Sequence, residues 1–120
     1  MTAVLAFFFF ANLKLVAQPG NFNFTNNTAN SLTVELWADY DDCAGNYLCS
    51  AGPVIVASST TYTFTGVCTT NGAWKFIKVT DSCGGVKVGY CGYPGTDTFT
   101  DCSSNVVTVN WIDEHTGDAN

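Results

Sequence analysis

Residues 31–40 read SLTVELWADY, and their alternation decides the fold. Leu32, Val34, Leu36 and Ala38 fall on one phase, and Thr33, Glu35, Trp37 and Asp39 on the other. Side chains of a strand point to opposite faces with period 2, so such a segment has one buried face and one wetter face. No window of the chain carries a sustained i, i+3, i+4 apolar pattern with caps, so no helix is expected.

Working outward, NFNFT (21–25) alternates with Phe22 and Phe24 in phase. NNTAN (26–30) is a turn cluster, so residues 22–38 read as an opening hairpin. Downstream, PVIVA (53–57) is a short apolar run expected to be buried. TTYTFTGV (60–67) alternates, and TNG (70–72) marks a turn. AWKFIKVTD (73–81) puts Trp74 and Phe76 in one phase but Ile77 and Val79 in the other. That strand is either covered on both faces or bulged. VKVGY (86–90), TDTFT (96–100) and SNVVTVNWI (104–112) follow; in the last, Val107, Val109 and Trp111 share a face. Turn-separated strands at this spacing give an all-β chain, an antiparallel β-sandwich of about seven or eight short strands.

The chain has 120 residues, one domain's worth. Its first segment, MTAVLAFFFFANLKLVAQ, differs from the rest. Residues 3–11 are all apolar, too short a run to span a bilayer but suited to the core of a signal peptide. Ala17 suits the position before a cut, although no basic residue precedes the run and Leu15 occupies the third position before it. Residues 1–17 are expected to be a signal peptide, 18–114 the β-sandwich, and 115–120 a frayed tail. A retained apolar segment or a buried first strand are the competing readings.

Charge excludes some functions. Past residue 17 there are three lysines (Lys75, Lys78, Lys87), no arginine and ten acids. Phosphate contacts require Lys and Arg, so neither nucleic acid nor an anionic membrane is an expected partner. Only 12% of residues are charged, against about 25% in a typical domain.

Six cysteines, all beyond the expected cut, read as three disulfides in an oxidising compartment. No CxxC pair is present, and the only histidine is His115, so a zinc site is not indicated. If successive strands alternate in direction, Cys83 and Cys102 fall at one end of the sandwich and Cys43, Cys49, Cys68 and Cys91 at the other. Bridged Cα atoms lie within about 7 Å, which favours Cys83–Cys102, then Cys43–Cys49 and Cys68–Cys91. Six cysteines admit about 15 pairings, and a crossover between the sheets would alter the parity.

Catalysis is not expected. His115 lies in the presumed tail, where nothing would hold it rigidly. All cysteines are taken up in bridges, and GxSxG, HExxH and phosphate-loop motifs are missing. DYDDCAGNYLC (39–49) offers Asp39, Asp41 and Asp42 as calcium ligands. Cys43 and Ser50 occupy the fifth and twelfth positions, which excludes an EF-hand. The simpler reading is a soluble turn with a disulfide clasp and no cofactor. Trp37 lies on the wetter phase of its strand, and Tyr40, Tyr47, Tyr90 and Tyr93 lie in or beside loops at one end. Sugar rings stack on exposed aromatics while polar neighbours bond their hydroxyls, so these five residues are the candidate ligand platform. Two threonine-rich segments, TYTFT (61–65) and TDTFT (96–100), suggest a weaker alternative, a lattice-matching surface. Asn23 and Asn26 open N-x-T sequons, both expected on exposed positions.

The run FNFTNNTANSLTVELW (22–37) resembles the opening of small exported, cysteine-bearing bacterial β-sandwich proteins, and more distantly that of thaumatin-like proteins. The latter are longer and richer in disulfides, and their acidic cleft residues have no counterparts here. The resemblance implies the fold and export, and no activity. The expected role is therefore a secreted or cell-surface, non-catalytic binding module with a glycan or an extracellular protein as partner. The alternatives are an assembly protein pairing through strand edges, and a small effector or enzyme inhibitor acting through the 43–49 loop.

Overall fold

The computed structural model describes residues 20–39, 47–65 and 73–120. Nine strands run along it: β1 (Phe22–Asn26), β2 (Leu32–Asp39), β3 (Tyr47–Val56), β4 (Thr60–Phe64), β5 (Ala73–Thr80), β6 (Gly85–Gly89), β7 (Thr96–Thr100), β8 (Val106–Asp113) and β9 (Thr116–Ala119). They form a five-stranded sheet, in the order β4-β1-β9-β8-β7, and a four-stranded sheet, β3-β2-β5-β6. Every pairing is antiparallel except β1 with β9, which is parallel. None of the described residues forms a helix long and apolar enough to cross a membrane.

The alternation read from 31–40 is realised in β2. Leu32, Val34, Leu36 and Ala38 are buried, and Thr33, Glu35 and Trp37 are only half-buried. The inward phases of both sheets interlock into one cluster. Phe22, Phe24 and Phe64 meet Leu36, Ile77 and Val79 there, with Phe99, Val107, Val109 and Trp111 completing it. Each such side chain contributes about 1.5–3 kcal/mol on leaving water, so this dry layer is what joins the sheets.

Residues 22–38 do not form a hairpin. β1 pairs with β4 and β9, whereas β2 pairs with β3 and β5, so the chain crosses between sheets at 27–31. Asn26 directs the crossing. Fully buried, it donates through Nδ2 to the carbonyls of Asn30 (2.8 Å) and Val56 (3.0 Å). Its Oδ1 accepts from the backbone N–H and hydroxyl of Thr28 (2.9 and 2.7 Å). All four polar positions of the amide are thereby used, and a strand of one sheet is tied to a strand of the other. The same burial removes the second sequon from the surface, because the nitrogen that would carry a glycan is the one bonded inside. Asn23 remains exposed, accepting from the Thr63 hydroxyl at 2.7 Å.

The apolar run at 53–57 is not buried as a block. β3 lies at a sheet edge whose outer face is open, so it alternates: Ile55 is 75% exposed and Val56 is buried. The phase conflict in β5 is resolved by a bulge. The β2–β5 register slips between Trp37 and Ala38, which turns Trp74 inward with Ile77 and Val79 and leaves Phe76 beside Trp37 on the outer face.

The segment expected to fray is instead a central strand. β9 is bonded on both sides, to β1 and to β8. Its inward residues, Gly117 and Ala119, are small because aromatic neighbours fill the space. A Cβ on Gly117 would approach Phe22 Cζ to 3.0 Å, and Trp111 lies directly across the ladder from it. The threonine-rich strands β4 and β7 are opposite edges of their sheet, so their threonines make no common array.

Cys83 and Cys102 are bonded, with Cα atoms 5.0 Å apart, as strand parity predicts. The bridge links the β5–β6 turn of one sheet to the β7–β8 turn of the other. Asp81 sits under it. Its Oδ1 accepts from the N–H groups of Cys83 and Gly84, both at 2.9 Å, and its Oδ2 from that of Cys102 at 2.8 Å. These bonds, Cys102's foremost, hold its carboxyl below the ordinary value of 3.8. Cys49 and Cys91 are also disulfide-bonded. The expected pairings Cys43–Cys49 and Cys68–Cys91 involve Cys43 and Cys68, which lie outside the described residues.

Candidate functional site

The outer face of the four-stranded sheet is not covered by the second sheet, and its side chains follow from register. Trp37 stands opposite Ser50 on one side and Phe76 on the other, and Phe76 stands opposite Gly89. One row along, Glu35, Lys78 and Lys87 are successive neighbours on β2, β5 and β6. The next row is Thr33, Thr80 and Gly85.

Three rings gather at one end of this face. Tyr47 lies 5.2 Å from Trp37 and 5.5 Å from Phe76, centroid to centroid, tilted against the first and edge-on to the second. Lys87 joins them. Its Nζ sits 4.1 Å from the Phe76 centroid and 4.8 Å from that of Tyr47, and it donates to the Tyr47 hydroxyl. An ammonium over a ring face is attracted by the ring's quadrupole, so Lys87 fixes the aromatics and is itself fixed. Beside them a groove of about 410 Å³ opens, lined by Trp37, Lys78, Thr80, Gly85, Val86 and Lys87. It adjoins a smaller hollow of about 190 Å³ that shares Lys78 and Thr80 and adds Thr33, Glu35 and Pro53.

Of the five residues read as a platform, the fold brings two together. Trp37 and Tyr47 are in contact, with Tyr47 41% exposed. Tyr90 belongs elsewhere. It follows Val88 on the inward phase of β6 and packs under the core against Trp111, 5.8 Å between centroids. Tyr93 is 73% exposed in the turn before Pro94. Tyr40, Asp41 and Asp42 lie outside the described residues. Asp39, read as a loop carboxylate, is fully buried at the end of β2, opposite Tyr47 and Ala73. The bulges beside it break the alternation that would have kept it outward. Its carboxylate is therefore not on an exposed loop.

Among the described residues, Asp81, Cys83 and Cys102 bring potential ligand atoms within 4.8 Å of one another. Both sulfurs are consumed in the bridge and the carboxylate is taken by three N–H groups. This arrangement is a braced disulfide rather than a metal centre. His115 is exposed in the turn between β8 and β9, with Nδ1 3.1 Å from the carbonyl oxygen of Asn21.

No family model, curated protein or solved structure matches this chain. The reading of the site therefore rests on its geometry. Phe76, Lys78, Thr80, Gly85 and Lys87 were not singled out from sequence. The available signal was charge: beyond residue 17 all cations fall between positions 75 and 87.

Proposed function

We propose that the protein is an exported, non-catalytic binding module that takes a saccharide on the outer face of its four-stranded sheet. The observation that supports this most is the Trp37–Tyr47–Phe76 cluster standing beside an open groove with polar walls. An aromatic edge offers a flat apolar surface to the C–H face of a sugar ring. Lysine and threonine heads around it offer bonds to hydroxyls. Export accords with the oxidised cysteines, since disulfides persist in oxidising compartments.

A glycan array probed with the full chain tests the reading. Trp37→Ala is expected to weaken binding about tenfold or more, as truncation of an anchoring tryptophan does. Tyr62→Ala, on β4 of the other sheet, is expected to leave it unchanged. Equal binding by the Trp37→Ala protein and the wild type would refute this location.

A further inference from the structure

The groove has a charge character that its aromatic wall does not explain, and from it we infer that the saccharide is acidic, bound through a uronate carboxylate held between Lys78 and Lys87. The inference rests on the proposed saccharide site and specifies its ligand. The chain is acidic overall, with four basic residues against ten acids. Yet two of its lysines stand directly opposite each other across β5 and β6, both lining one groove. Like charges at directly opposed positions of a sheet repel, so this juxtaposition costs stability unless an anion lies between them.

Internal partners do not meet that need. Glu35 is the cross-strand neighbour of Lys78 on the far side from Lys87, so it balances at most one of the two. Lys87 donates to Tyr47 and leans on two rings, but no acid neutralises it among the described residues, and its ammonium keeps further N–H donors. The row Glu35–Lys78–Lys87 thus carries one net positive charge on an acidic protein. Gly85 makes room for Thr80, whose Cγ2 would stand 2.4 Å from a Cβ there, so the Thr80 side chain forms the floor of the groove between the two lysines. Trp37 supplies the wall for the ring, and the two ammonium groups receive the carboxylate.

Calorimetric titration of the full chain with tetragalacturonate and with its fully methyl-esterified form tests this. The ester keeps the ring and removes the charge. The acid is expected to bind about tenfold tighter at low ionic strength, from two exposed ion pairs, and the difference is expected to shrink in 0.5 M NaCl. Lys78→Met, which keeps the aliphatic stem, is expected to reduce the difference to about threefold while the ester still binds. Lys87→Met, checked for folding by its melting curve, is expected to do the same. Equal binding of acid and ester, lost in Trp37→Ala, would overturn the acidic assignment and leave the saccharide reading standing. A preference for the acid that is undiminished in both lysine variants would also overturn it. No binding of either sugar would overturn this inference, and a glycan array without signal would overturn the broader reading with it.

Discussion

Asn26→Asp changes one atom's chemistry and almost none of its volume, yet the structure assigns it a large effect. The wild-type Nδ2 donates to the half-buried carbonyl of Asn30 at 2.8 Å and to the buried carbonyl of Val56 at 3.0 Å. A carboxylate oxygen in its place donates nothing and faces both oxygens. The Val56 carbonyl is left without its donor, which costs about 1–3 kcal/mol, and the uncompensated buried charge adds to this, about 4 kcal/mol in all. That is a large part of the 5–15 kcal/mol typical of a whole domain. For a domain of this size it corresponds to a melting temperature lower by about 20 °C. The deficit carries a pH signature. Burial and the facing carbonyls raise the pKa of the introduced carboxyl in the folded state above its unfolded value of about 3.9. A group with a raised folded pKa is best tolerated below its unfolded value, and the folded state loses stability as pH rises through the folded value. The melting difference between variant and wild type, followed by circular dichroism, is therefore expected to be smaller at pH 4 than at pH 7. A loss below about 5 °C at pH 7, or a deficit independent of pH, would refute the account of Asn26 as a satisfied buried hub.

Two other outcomes follow from the bridged turns. Replacing Cys83 and Cys102 together by alanine frees a loop of 19 residues' separation. The chain-entropy relation gives about 3 kcal/mol for such a loop, or about 15 °C in melting temperature; a fall under 5 °C would show that the bridge does not hold the sheets together at this end. Asp81 has a folded pKa lowered by backbone N–H bonds. Its contribution is full above pH 3.8 and is lost as pH falls through the lowered value, so Asp81→Asn is expected to flatten the acid limb of the stability profile, and identical limbs in the two proteins would contradict this.

What could be read from sequence was whatever a period of two reports. β2 shows it without ambiguity, because one of its faces is dry and the other is not. Strand direction sufficed to pair Cys83 with Cys102, since both sit in tight turns at one end. β9 was hidden for a physical reason. A strand squeezed between Phe22 and Trp111 carries glycine and alanine where the pattern demands bulk, and TGDA reads as a tail. The crossing after β1 was hidden too: an asparagine in NNTAN looks like any turn residue, and only burial distinguishes a hub from a surface amide. At the candidate site, the outward orientation of Trp37 was legible from its phase. Its partner Phe76 was not, because a bulge between Trp74 and Phe76 moves one tryptophan inward and one phenylalanine outward. Tyr90 was misplaced for the complementary reason: its position beside a loop said nothing about which way the ring turns.

The parallel pairing of β1 with β9 has a mechanical meaning. Residue 20 enters at one end of that ladder and residue 120 leaves at the other, with Asn23 and Asn27 bonded to His115 and Ala119 at its two extremes. Tension applied between these positions pulls the two strands along their length in opposite directions. Every bond of the ladder is then loaded at once, whereas a hairpin pulled from one end opens bond by bond. Gripped in this way, the domain resists as a shear clamp, with its strongest direction along the line between residues 20 and 120.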